Sequence, residues 1–289
     1  MDNELLDKDE DNLQQNKNKI KIIIIVVSVV IILLITVIVL FLVLRQDSEE
    51  ENGKKEEIPD EHPFEIIKID EKETHLIPKT GKYDYVFIFM HGLFGTPEMY
   101  SDRFNSKDGP IPDNFKIILP CASVENVTRL NSSTTSWFDI GGKDGDVIVE
   151  EDMNVSDMDK SAERIENIIE REIQSINSNY SRIFIGGFSQ GACMSFHIGL
   201  SFKETLGGIV AFCGIPITQT QIKEGRENLN ILGIVGGKDI YFPLNYSLPQ
   251  YDKVLKNFTN LNRKVFEDEE HDVADSEFKD VKEFLKSLM

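Results

Sequence analysis

Ser189 stands between two glycines in Gly187-Phe188-Ser189-Gln190-Gly191. An apolar run at residues 182–185 precedes it, and an apolar helical stretch at residues 192–202 follows. A strand that turns this sharply into a helix leaves no room for side chains at the two glycine positions. It also holds the central residue in a strained conformation that lifts its hydroxyl above the sheet. The helix opening at Gln190 points its free N–H groups, and the positive end of its dipole, at that hydroxyl. This arrangement suits a serine nucleophile attacking an acyl carbon.

A serine hydroxyl needs a base at neutral pH. On a strand–turn–helix serine the partners follow in the chain order serine, acid, histidine. Of His62, His75, His91, His197 and His271, only His271 follows the acid candidates. The apolar run 231–235 leads through Gly236-Gly237-Lys238 to Asp239, which places that carboxylate on the loop after a strand. Asp239 would accept the second ring N–H of His271 and fix its tautomer. A further run, 85–89, enters Met90-His91-Gly92-Leu93-Phe94-Gly95, where a second oxyanion donor is expected. The backbone N–H groups of Leu93 and Gln190 are therefore assigned to the oxyanion hole. His91 and His197 are read as structural, packed histidines.

The elements that must position these groups follow from periodicity. Residues 85–89, 116–119, 182–185, 208–212, 231–235 and 264–266 read as strands. Most lack polar alternation, as parallel strands covered on both faces do. Within 158–176, Met158, Ala162, Ile165, Ile168, Ile169, Ile173 and Ile176 recur at spacings of three and four, one buried helical face. Residues 276–288 carry a similar face. Alternating strands and helices predict an α/β fold with a mostly parallel central sheet and helices on both of its faces. Ligands in such sheets sit at the carboxyl ends of the strands, where the residues above fall.

At this level of detail the chain resembles the acyl-protein thioesterase and lysophospholipase-like carboxylesterase family of α/β-hydrolases. The resemblance rests on four segments in order: His91-Gly92-Leu93; Leu119-Pro120-Cys121-Ala122 with Val127-Thr128 and Ser136-Trp137-Phe138-Asp139-Ile140; Gly186-Gly187-Phe188-Ser189-Gln190-Gly191; and Gly237-Lys238-Asp239 with Pro243. It implies hydrolysis of acyl thioesters or esters through an acyl-enzyme, with no metal and no cofactor. It also implies that Trp137 and Phe138 help shape the acyl site. Two departures stand out. The family's loop has glycine where Phe94 stands, and Glu269 and Glu270 occupy the approach to His271, where a glycine is common. General carboxylesterase or lysophospholipase activity is the alternative within enzymes. A membrane-tethered binding module is the alternative outside them.

Composition sets the surroundings. The chain has 289 residues, and 50 acidic against 31 basic side chains give a net charge of −19. That balance excludes an electrostatic footprint for nucleic acid. Residues 22–44 form an apolar run broken only by Ser28 and Thr36, long enough at ~1.5 Å per residue to cross a bilayer. The expected organisation is a polar tail at 1–19, a transmembrane helix at 20–44, an acidic linker at 45–63 and the α/β domain at 64–289. Lys17, Lys19 and Lys21 flank the run on one side and an acidic stretch follows Arg45 on the other. The positive-inside rule then puts the N-terminus in the cytosol and the domain in a lumen or outside the cell. Six N-x-[ST] sequons, at Asn126, Asn131, Asn154, Asn179, Asn245 and Asn257, all lie beyond the run and favour a glycosylated domain. Cys121, Cys193 and Cys213 have no metal-ligand spacing, so a zinc site is not expected and buried free thiols are.

Overall fold

The computed structural model describes residues 62–70 and 72–289. Eight strands form one sheet: β1 (Phe64–Asp70), β2 (Glu73–Pro78), β3 (Tyr85–Met90), β4 (Phe115–Pro120), β7 (Ile183–Phe188), β8 (Gly208–Phe212), β9 (Ile231–Gly236) and β10 (Leu261–Phe266). Their spatial order is β1-β2-β4-β3-β7-β8-β9-β10. From β4 to β10 every pairing is parallel, while β1–β2 and β2–β4 are antiparallel. A separate hairpin joins β5 (Val124–Val127) to β6 (Ser132–Thr135).

The unbroken apolar runs are explained by two cores, one on each face. Along β3, Val86, Ile88 and Met90 enter one core and Phe87 and Phe89 enter the other, because successive side chains of a strand point to opposite sides. Helices α2 (Val155–Glu172), α3 (Gln190–Ser201) and α4 (Leu244–Val254) cover the first face. Helices α1 (Glu98–Phe104) and α5 (Asp275–Ser287) cover the second. All seven apolar residues counted between Met158 and Ile176 are buried. The α-helix itself runs from Val155 and tightens into a 3-10 turn at Ile173–Ile176. Asn154 caps it by accepting the Asp157 N–H.

Several elements had no sequence signal. β1, Phe-Glu-Ile-Ile-Lys-Ile-Asp, is a mostly exposed edge strand with charges along it, so it carries no continuous apolar run. α1 has only seven residues and α4 contains Pro249, which hides both from a periodicity count. The domain is also tied down earlier than residue 64. The His62 ring bonds the Asn105 carbonyl at 2.7 Å, and Lys79 N–H donates to the Pro63 carbonyl. Among the described residues no helix is long and apolar enough to cross a membrane. The span expected at 20–44 lies outside them, as do the 1–19 tail and nearly all of the 45–63 linker.

Candidate active site

Ser189 follows β7 directly and has φ +55, ψ −115, a left-handed backbone held by its own N–H donating to Phe212 O at 2.8 Å. The two glycines beside it are obligatory. A Cβ on Gly187 would stand 2.4 Å from the Gly191 backbone, and one on Gly191 would stand 2.1 Å from the Met90 carbonyl oxygen. β3, β7 and the start of α3 thus touch backbone to backbone at this point.

Asp239 lies three residues past β9 and is 3 % exposed. Its Oδ1 accepts two N–H groups, from Tyr241 and Phe242, both at 2.9 Å. Its Oδ2 faces His271 Nδ1 at 2.8 Å. His271 Nε2 in turn lies 2.8 Å from Ser189 Oγ. The partners assign the tautomer: Nδ1–H donates to Asp239, and Nε2 accepts the serine O–H. The ring is enclosed by Phe188, Tyr241 and Phe242, with centroids 4.8, 5.0 and 5.8 Å away. The loop carrying His271 is fastened to the loop carrying Asp239, since Lys238 N–H donates to Glu269 O at 2.8 Å. The structure therefore brings together all three side chains singled out in the sequence, from the ends of three different parallel strands.

The N–H groups of Leu93 and Gln190 have no backbone or side-chain acceptor among the described residues, whereas those of Phe94 and Ala192 are used. The scaffold behind them is polar and fully paired. His91 is 1 % exposed; its Nδ1–H donates to Gly92 O at 2.7 Å and its Nε2 accepts from Ala122 N–H at 2.9 Å. Burial pushes its pKa down to about 4, so the ring stays neutral and structural. Trp137 Nε1–H donates to His91 O at 2.8 Å. The Gln190 side chain accepts from Trp137 N–H at 2.8 Å and donates to Ser136 Oγ and Phe138 O at 2.9 and 2.6 Å. The Ser136–Asp139 segment is thereby bolted to both donors of the hole.

A cavity of about 200 Å³ opens onto Ser189 and His271, lined by Leu93, Phe94, Leu130, Ile140, Ile148 and Tyr241 among others. Trp137 and Phe138, expected to help shape the acyl site, do not line this cavity. Both are buried, at 2 % and 1 % exposure, with their backbone engaged by Gln190. They line instead a polar cavity of about 230 Å³ with Asp157, Lys160 and Arg164. Two contributors, Arg129 and Tyr241, had no motif to mark them. Arg129, buried beside the cavity, donates to Gly141 O at 3.1 Å and to Asp146 O, and so folds the loop that supplies Ile148. Tyr241 accepts Ile148 N–H on its carbonyl and presents its ring to His271. Phe94 adopts φ +63, a backbone that glycine favours, and the residue is 55 % exposed at the cavity. His197 is satisfied by Thr220 and Asp159, apart from the site. Cys121, Cys193 and Cys213 are free thiols.

Comparison with known proteins agrees with this construction. The family model described as Phospholipase/Carboxylesterase matches residues 72–289. The acyl-protein thioesterase 1 of Eremothecium gossypii is 25% identical over 215 residues, covering 70% of this chain and 87% of that protein. That of Candida albicans is 29% identical over 213 residues, covering 70% and 91%. Acyl-protein thioesterase 2 of Zea mays superposes with a TM-score of 0.63 at 20% identity, over 76% of this chain and 99% of that one, a likeness of fold. The chain is a hydrolase that belongs to the phospholipase/carboxylesterase family and is built on the α/β-hydrolase fold.

Proposed function

We propose that this chain is a serine hydrolase that cleaves acyl thioesters or esters through an acyl-enzyme, as acyl-protein thioesterases do. One observation carries the reading: the unbroken line from Ser189 Oγ to His271 Nε2 and from His271 Nδ1 to Asp239 Oδ2, with 2.8 Å at each step. Ser189 attacks the acyl carbon while His271 takes its proton, and Asp239 stabilises the imidazolium. The N–H groups of Leu93 and Gln190 hold the tetrahedral oxyanion. The imidazolium returns its proton to the departing thiolate or alkoxide, and water, activated by the same ring, releases the acid. The apolar lining beside Ser189 suits the acyl chain rather than the leaving group. A fluorophosphonate probe should label the wild-type chain, and Ser189→Ala should lose both label and activity, by ~10⁴-fold or more. A variant that keeps its esterase rate would remove Ser189 from the mechanism.

Membrane tethering and topology belong to the same proposal. Residues 22–44 act as the bilayer anchor, with the catalytic domain lumenal or extracellular. The asparagine of every sequon is exposed, and Asn154 and Asn179 use only Oδ1 for capping, so an attached glycan would meet no core. A mobility shift on glycosidase treatment of the chain from a eukaryotic host checks this. An unchanged band, with the domain digested by protease added from the cytosolic side, would reverse the orientation.

A further inference from the structure

Cys213 plays no part in the proton relay, yet it lies against it. It follows β8 with φ +48, is 1 % exposed, and its N–H donates to Ile234 O at 2.8 Å. Its Sγ is turned toward the loop that carries His271, 3.5 Å from Asp272 O and 3.8 Å from Glu270 O. Sγ, a carboxylate oxygen of Asp239 and a ring nitrogen of His271 all lie within 4.8 Å of one another. The three donors come from the ends of β8, β9 and β10. No local spacing in the sequence connects them, and the absence of a zinc motif there did not bear on a site assembled this way.

Thiolate, imidazole and carboxylate together are the donor set that zinc takes, and hard cations such as Mg²⁺ and Ca²⁺ avoid it. Thiolate and carboxylate also cancel the charge of a divalent ion, so the loaded site buries no net charge. Bonds of about 2.0–2.3 Å at tetrahedral angles put donors roughly 3.3–3.7 Å apart. The present 2.8 Å between His271 Nδ1 and Asp239 Oδ2 must open by about half an ångström, and the wider separations must close by up to about 1 Å. A small movement of the His271 loop suffices.

We propose that Cys213, Asp239 and His271 form a zinc site that switches the hydrolase off. The inference rests on the reading of His271 as the base. Zinc takes the lone pair of Nδ1, so the proton now on Nδ1 moves to Nε2, and the imidazole stays neutral. Nε2–H then donates to Ser189 Oγ and cannot accept its proton. The Cys213 thiol releases its proton to solvent as the sulfur–zinc bond forms, and no electron is transferred. The buried position makes onset slow and leaves the resting enzyme unaffected.

The test uses the full chain and zinc chloride alone, with thioester hydrolysis as the readout. Zinc should inhibit at least tenfold with slow onset, and a chelator should restore the rate. Calcium and magnesium at the same concentration should have no effect. Cys213→Ser, close in size, should raise the half-inhibiting zinc concentration at least tenfold, and Cys213→Ala serves where the serine variant folds poorly. Cobalt(II) added to Ser189→Ala should give a thiolate-to-cobalt charge-transfer band that is absent when position 213 lacks sulfur. Equal inhibition of wild type and Cys213→Ser, or no band in Ser189→Ala, overturns the zinc site. Full activity of Ser189→Ala would instead overturn the proposed mechanism, since cobalt binding does not depend on Ser189.

Discussion

Replacing Phe94 by glycine separates the strain at this position from its effect on substrate choice. A non-glycine residue in the left-handed region costs about 1–2 kcal/mol, which Phe94→Gly recovers. Glycine adds freedom to the unfolded chain worth about 0.5–1 kcal/mol against the fold. Phe94 is 55 % exposed, so about half or less of the ~1.5–3 kcal/mol of a fully buried phenylalanine is lost. These effects oppose one another, and the denaturation midpoint should move by less than about 1 kcal/mol. The cavity, by contrast, changes at its lip. At about 200 Å³ it is smaller than the roughly 300–1,000 Å³ typical of ligand pockets, and the Phe94 ring lines it. Without the ring, longer acyl chains lie against Leu93, Leu130 and Ile148. Each additional sheltered methylene contributes ~0.8 kcal/mol, so two raise kcat/KM about tenfold. The assay is hydrolysis of a series of nitrophenyl esters from acetyl to palmitoyl. The optimum should move to longer chains in Phe94→Gly, and Phe94→Leu should keep the wild-type profile. An unchanged profile in the glycine variant refutes the gating argument. An equal loss on every chain length would place Phe94 in support of the Leu93 N–H instead.

Removing the Gln190 side chain with alanine leaves the Trp137 N–H buried without its acceptor, and should destabilise the fold by about 2–4 kcal/mol in urea. Because alanine keeps the backbone N–H, kcat should fall only about tenfold with KM unchanged, well short of the ~10²–10³ that a deleted oxyanion donor costs. Glu277 is fully buried, and burial lifts its carboxyl from 4.5 to about 8, so it is mostly protonated at pH 7. Its contribution to stability is complete below about pH 4.5 and is lost as pH rises through about 8. The wild-type urea midpoint should therefore drop between about pH 5 and 8, by at most about 1.4 kcal/mol per unit, and Glu277→Gln should flatten that slope. His91 acts with the opposite sign. Its pKa is lowered from 6.5 to about 4, so stability should fall as pH drops through that window, and His91→Gln should remove the acid-side slope.

The nucleophile and the acid were legible because each follows closely on a strand whose side chains are buried on both faces. β7 and β9 announce themselves as apolar runs closed by glycine turns, whereas β10, Leu-Asn-Arg-Lys-Val-Phe, is half exposed and His271 was found by its place after the acid. Chain order then eliminated the other histidines. The walls of the cavity were not legible for the opposite reason. Arg129, Ile148 and Tyr241 belong to loops folded by long-range contacts to backbone carbonyls, and a carbonyl acceptor leaves no mark on the sequence. Trp137 belongs to an aromatic pair that reads as a lipid surface, yet it lies outside the cavity beside Ser189. Its two N–H groups fasten Gln190 to His91. β1 was missed because an edge strand exposes one face and one row of backbone, and so resembles a linker in composition.

Each reacting group is fixed by elements other than its own. Ser189 is held by β8 through Phe212, Asp239 by the two residues that open the turn into α4, and His271 by rings from β7 and from the Asp239 loop. The oxyanion donors are held through a segment that packs against α2, where Ser161 Oγ–H donates to Trp137 O at 2.5 Å. The active geometry is consequently a property of the assembled sheet and both of its helical layers. Partial unfolding at either layer should abolish activity before the secondary structure is lost, because preorganised donors lose their value when displaced by an ångström or so.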